Sequence, residues 1–200
     1  IKKLRRDLRK APEDKIKIVA FHHHLLPVPR TGRERNVLHD AGDVLDTILD
    51  YSADIVLNGH KHMPNVYNIE NTVVSVAGGF SVRKVRAGDD NSFNLITIYP
   101  DRKIDVDVIR IQSDKYEKRE VPCKRHDRVY EVAKKRMLRI VQISDTHITE
   151  DRFEFDASAF ERGIELINKL EADFVVHLGD ITHNGLPSEY KLAKRLLSKI

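Results

Sequence analysis

The sequence predicts an α/β domain. Apolar runs of strand length alternate along the chain with segments whose apolar residues fall at helical spacing, and four of those runs stop at short segments rich in Asp or His. The 200 residues are enough for one core, since a chain of this size buries roughly 70% of the surface its unfolded form exposes. With 40% hydrophobic and 33% charged residues and no Trp, the composition is too apolar for a disordered chain and too charged for a membrane one.

Ile1 to Lys10 reads as the end of a basic helix, and Lys15-Ile-Lys-Ile-Val-Ala-Phe21 as a buried strand that runs into His22-His23-His24. The loop from Pro27 to Asn36 carries Pro27, Pro29, Gly32 and the arginines 30, 33 and 35, and is read as a solvated charged loop. Val44, Leu45, Ile48 and Leu49 then mark a helix over Ala41 to Tyr51 that covers the preceding strand. Asp54-Ile-Val-Leu-Asn58 is a second strand, ending in Gly59-His-Lys-His62.

From Val66 to Ile111 the pattern is mostly extended, with strands at Asn71 to Ala77, Phe93 to Tyr99 and the alternation Ile104, Val106, Val108. Turns fall at Gly78-Gly79, Gly88-Asp89 and Pro100-Asp101. Residues 113–136 are polar with little periodicity and read as a tail or linker. Met137 to Ile143 opens a fresh strand that ends in Ser144-Asp-Thr-His147, and Phe160, Ile164 and Ile167 share one face of the following helix. Asp173 to Leu178 is the next strand, ending in Gly179-Asp180, and Pro187 starts a helix carrying Leu192, Leu196 and Ile200. The domain is thus read as two pieces, 1–112 and 137–200, separated by the polar segment.

The net charge of +4 tolerates a phosphate-bearing partner without demanding nucleic acid. The single cysteine, Cys123, excludes an internal disulfide and a thiolate cluster and points to a reducing compartment. No apolar run approaches the ~20 residues of a membrane helix and no signal-peptide core lies near Ile1, so the expected location is cytoplasmic.

In open α/β sheets, ligands bind outside the carboxyl ends of the strands, so the four segments rich in Asp and His converge on one crevice. Imidazole and carboxylate without thiolate suit manganese, iron, cobalt, nickel or zinc. One tetrahedral ion needs about four ligands, whereas six candidates are on offer: Asp145, His147, Asp180, one of His22 to His24, His60 and His62. The surplus favours two ions. A pair roughly 3.5–4 Å apart can share a carboxylate, hold a hydroxide and clamp phosphoryl oxygens, which points to hydrolysis of a phosphate ester. His39 and His126 lack such a pattern and read as satisfied histidines, and His177, inside a strand, as packing.

Ser144-Asp-Thr-His147, Leu178-Gly-Asp-Ile-Thr-His-Asn-Gly185, Phe21-His-His-His24 and Asn58-Gly-His-Lys-His62 resemble the motifs of the calcineurin-like metallophosphoesterase superfamily, most closely the class that includes cyclic-nucleotide phosphodiesterases. The resemblance implies a four-layered α/β/β/α sandwich with two divalent ions. It implies Asp145, His147 and His62 on the first ion, Asp180 bridging, and His22 and His60 on the second. His22 is chosen because the first histidine after the strand is the ligand in similar proteins, and His23 is the alternative.

Two departures from the family stand out. Its Asp-x-His and Gly-Asp segments come first, and here the order is reversed. Its Gly-Asn-His segment, source of an asparagine ligand and of a histidine that interacts with the phosphate or protonates the leaving oxygen, is absent from these residues; His183 is the one local histidine that could substitute, though it reads first as a solvated loop histidine. The chain reads as the two ends of such a domain joined in reverse, with Met137 resembling a start and Arg136 an end.

The expected activity is therefore metal-dependent hydrolysis of a small phosphate ester by a metal-bound hydroxide, a phosphodiester before a monoester. The alternatives are a nuclease of the same superfamily and a non-catalytic scaffold. The modest charge and the lack of an aromatic-studded basic stripe argue against nucleic acid, a membrane partner is not expected, and a homo-oligomer stays open.

Overall fold

Strands form where β-branched residues run together, and the way they alternate decides which layer each one glues. A computed structural model describes residues 1–29, 37–85, 90–113, 116–120 and 137–200. Its elements are α1 (Lys2–Lys10), β1 (Ile18–Ala20), α2 (Ala41–Asp50), β2 (Ile55–Asn58), β3 (Asn65–Ile69), β4 (Thr72–Val76), β5 (Ser92–Ile98), β6 (Ile104–Arg110), β7 (Tyr116–Glu120), β8 (Leu138–Ile143), α3 (Ala157–Asn168), β9 (Phe174–His177) and α4 (Pro187–Leu197). The arginine loop, the Gly88-Asp89 turn, Cys123 and His126 lie outside the described residues.

The strands form two mixed sheets, ordered β1-β2-β4-β3 and β7-β6-β5-β8-β9. In the first, β1, β2 and β4 are parallel and β3 returns antiparallel. In the second, only β8 and β9 are parallel. Strand β5, from the first piece of the chain, pairs with β8, from the second, so one sheet is built from both. Residues 113–136, read as a linker, include the edge strand β7, which pairs with β6 from Asp105↔Glu120 to Ile109↔Tyr116. Its sequence, Tyr116-Glu-Lys-Arg-Glu120, has no apolar alternation to announce a strand, and its backbone pairing with β6 is what defines it.

Side chains two apart on a strand share a face, and each sheet uses both of its faces. Ile55, Leu57 and Val73 of the first sheet meet Ile96, Ile98, Ile104, Val106 and Ile140 of the second in one buried cluster. Val19, Val56 and Val74 point the other way, onto Leu8 of α1 and Val44 and Ile48 of α2. Phe93, Leu95, Val141 and Ile143 pack on Phe160, Ile164 and Ile167 of α3 and Ala193 of α4. Helix α3 starts where the Asp156 carboxylate accepts the Ala159 amide at 3.0 Å, and α4 where Glu189 accepts the Leu186 amide at 3.2 Å. No described helix is long and apolar enough to cross a membrane.

Between the sheets, close to the carboxyl ends of β2 and β8, the apolar layer gives way to a buried polar network. Ser75 Oγ donates to Gln142 Oε1 at 2.6 Å, Asn94 Nδ2 donates to Ser75 Oγ at 2.9 Å, and Gln142 Nε2 donates to the Asn58 carbonyl at 3.0 Å. An unpaired buried polar group costs about 1–3 kcal/mol, so this network fixes one register between the sheets. Register there sets the distance between the loops that follow Asn58 and Ile143.

Candidate metal centre

Four loops leave the ends of β1, β2, β8 and β9 and meet at one edge of the two sheets. Backbone bonds hold them in pairs. The Gly59 amide donates to the His22 carbonyl at 3.0 Å, Asp145 N to the Gly179 carbonyl at 3.1 Å, and His147 N to the Asp180 carbonyl at 2.9 Å. Asp145, His147, Asp180, His60 and His62 all have positive φ, between 45° and 84°, as do Ser52, Glu70 and Arg102 elsewhere among the described residues. Left-handed backbone at non-glycine residues is sparsely populated and persists only where the surroundings over-determine it. The strained backbone is concentrated on the residues that the sequence singles out for chemistry.

Two clusters result. His22, His60 and Asp180 form one, and His62, Asp145 and His147 the other, with one ligand atom from each residue within 4.8 Å of the others in its cluster. The clusters adjoin: Asp180 Oδ2 lies 3.4 Å from His22 Nε2 and 3.7 Å from His147 Nε2. Asp145 Oδ1 lies 3.4 Å from His62 Nε2, and 3.9 Å from both His147 Nε2 and His22 Nε2. Ligands about 2.1 Å from a shared ion stand roughly 3–3.5 Å apart, so these separations are those of a slightly open ligand set. Each carboxylate reaches a nitrogen of both clusters.

Asp145 is completely buried. Its Oδ2 accepts the His60 amide at 3.0 Å, while Oδ1, aimed at three imidazoles, has no hydrogen-bond partner. Burial alone would raise its pKa, but the close polar contact and charge of His62, with Ser144 and His22 beside it, bring it down to about 2, so it is ionised. Both ring nitrogens of His147 are buried without a hydrogen bond, and burial pushes its pKa down despite the pull of Asp145. Burial also lowers His60 to about 4, reinforced by His23 and His22. A buried anionic oxygen facing three imidazoles, one of them His147 with both nitrogens unbonded, is a set of donors for a cation.

The orientation of His22 sharpens this. Its Nδ1 lies 3.1 Å from the Leu178 carbonyl, which can only accept, so Nδ1 carries a proton, and in the neutral ring Nε2 is a bare lone pair. That lone pair faces His60 Nδ1 at 3.2 Å. Either His60 turns a proton onto it, or the two lone pairs share a cation. A carbonyl that fixes the tautomer of a ligating imidazole is a common support at metal sites. The residues present therefore fit divalent ions at both clusters.

Two glycines make room for this arrangement. A Cβ on Gly59 would sit 2.0 Å from Ser144 Oγ and 3.0 Å from Asp145 Oδ2, and one on Gly179, whose φ is +119°, would meet His22 Nδ1 at 2.9 Å.

His23 joins neither cluster and stacks against His60 with ring centroids 4.4 Å apart. His24 is buried with neither nitrogen bonded, and burial lowers its pKa to about 4. His183 is exposed, its ring 5.7 Å from that of His147, and His39 is exposed too. His177, read as packing, instead bonds to Thr146 beside the site. Strand alternation places it on the same face as Val175, toward α3 and α4, and its position inside a strand is what pointed to packing.

Residues 138–200 match the family model for calcineurin-like phosphoesterases. No curated protein matches the chain. Together with the two donor clusters, the match supports a metal-dependent phosphoric ester hydrolase.

Proposed function

We propose, on the premise that residues 138–200 are of the calcineurin-like phosphoesterase family, that the protein hydrolyses phosphodiester bonds of small molecules, cyclic nucleotides among them, with two divalent ions. In this reading His62, Asp145 and His147 hold one ion, His22 and His60 the other, and Asp180 lies between them. The four-layered sandwich of that family is the arrangement that the three apolar clusters favour.

The observation that carries the reading is that one carboxylate oxygen, Asp180 Oδ2, is within 4.0 Å of a nitrogen from each cluster, the placement a carboxylate shared by two ions requires. Bound ions would supply Lewis acidity to phosphoryl oxygens and acidify bound water. The chain's own part is to keep Asp145 ionised, to hold the His22 proton on Nδ1 so that Nε2 stays free, and to keep His60 and His147 neutral. Asp180, half exposed, sits at the open side, where a phosphate enters.

The test compares bis-p-nitrophenyl phosphate with p-nitrophenyl phosphate, with added manganese and after chelation. Manganese-dependent release from the diester at a higher kcat/KM than from the monoester supports the reading. Preference for the monoester removes the diesterase assignment, and metal binding without turnover of either moves the protein to the scaffold class.

A further inference from the structure

We propose that His177 is a positioning residue that ties the Asp145 loop to the Asp180 loop through a hydrogen-bond chain of fixed polarity; this rests on reading those two carboxylates as metal ligands. The chain begins at the Gly179 amide, which lies 3.2 Å from His177 Nδ1. An amide can only donate, so Nδ1 is bare and a neutral ring carries its proton on Nε2. Nε2 lies 3.0 Å from Thr146 Oγ1, which in turn lies 2.8 Å from the Ile181 carbonyl. The carbonyl can only accept, so the hydroxyl proton points to Ile181 and the hydroxyl lone pair takes the His177 proton. Every donor has one acceptor, and no other assignment of the protons satisfies all three bonds.

The places this chain touches are what give it a role. Thr146 stands between Asp145 and His147, and Gly179 and Ile181 flank Asp180. Three non-glycine residues of these two loops, Asp145, His147 and Asp180, have positive φ, a conformation that survives only when surrounding bonds over-determine it. Backbone bonds from Asp145, His147 and Ile148 to the opposite loop set the register. The His177 chain adds the side-chain bonds that hold the strained loops against each other. His177 is in neither ligand cluster, and burial lowers its pKa to about 4, so the ring is neutral near neutral pH.

The experiment is a double-mutant cycle with His177→Leu and Thr146→Val, with His177→Asn as the conservative variant, whose amide oxygen replaces Nδ1 as the acceptor. A cleft of about 510 Å³ beside the ring, lined also by Ile143, Phe174 and Val175, leaves room for leucine. Manganese affinity is measured by equilibrium dialysis, and the Tm of chelator-treated protein by calorimetry. The expected result is a 10–100-fold loss of manganese affinity in each of His177→Leu and Thr146→Val, the range seen for residues that orient metal ligands. The double variant should be no worse than the poorer single one, and His177→Asn should fall between. A lowered Tm with unchanged manganese affinity means His177 merely packs, and overturns the inference while leaving the metal site standing. If the unaltered protein takes up no manganese, the ligand reading fails, and the metal-free cycle decides alone: additive Tm losses overturn the tie, and losses that fail to add sustain it. Should His177→Leu not fold, Thr146→Val and His177→Asn form the same cycle.

Discussion

Gly59→Ala places the heaviest demand on the site for the smallest change in chemistry. The new Cβ would stand 2.0 Å from Ser144 Oγ, 2.6 Å from Ser144 Cβ and 3.0 Å from Asp145 Oδ2. Ser144 and Asp145 are buried, and the Asp145 carboxylate is held by the His60 amide, so neither can swing into solvent. Overpacking of this kind costs about 1–3 kcal/mol, which for a 200-residue domain is a fall in Tm of roughly 2–12 °C. The shift must also pass into Asp145, so manganese affinity should fall roughly 10–100-fold, as when a support of a metal ligand is lost. Ser144→Gly removes both clashing atoms, so the Gly59→Ala/Ser144→Gly protein should recover most of the Tm and affinity lost by Gly59→Ala. The assays are thermal unfolding with and without chelator and manganese binding by equilibrium dialysis. Gly59→Ala protein with unchanged Tm and affinity, or a double variant whose losses simply add, would refute the close approach of these loops.

Replacing Asp180 with Asn or Ala should abolish binding of at least one ion, and unchanged stoichiometry by elemental analysis would sink the dinuclear reading. Saturating manganese, at about 100 times its Kd, should stabilise the protein by about 2.7 kcal/mol, read as a Tm rise that chelator reverses; no rise means no specific site. The His177 pKa is about 4 when folded against 6.5 for a free imidazole, so between these values the unfolded chain binds more protons and stability rises with pH. Up to about 3 kcal/mol is therefore present above pH 6.5 and lost on acidification toward pH 4; urea unfolding of chelated protein should show a weaker pH dependence in His177→Asn, and an identical one contradicts this burial. These residues alone lack a Gly-Asn-His segment, so turnover of a cyclic nucleotide should trail that of an activated aryl diester by more than leaving-group reactivity explains, with ~10²–10⁴-fold attributable to a missing proton donor. Comparable rates, undiminished in His183→Ala, would show that no such donor is needed.

Periodicity in the sequence was sufficient for the strands that bury a face and for the helices that cover them, because apolar spacing records burial along a single element. The segments at the strand ends were legible for the same reason: Asp145 with His147, Gly179 with Asp180, and His60 with His62 each follow an apolar run that stops. Strand β7 was not legible, since its sequence has no apolar alternation and the pairing with β6 is what the structure adds. Nor could spacing tell that β1 and β8 belong to different sheets, or that the His60 amide would reach Asp145 across 85 positions at 3.0 Å. Those distances come from the packing of two sheets and from the network of Ser75, Asn94 and Gln142 that registers them. His177 shows the limit most clearly. Its place in a strand predicts an inward side chain, but whether an inward imidazole packs or ties two loops depends on what the neighbouring strand's loop brings beside it, and only the tertiary structure puts Thr146 there.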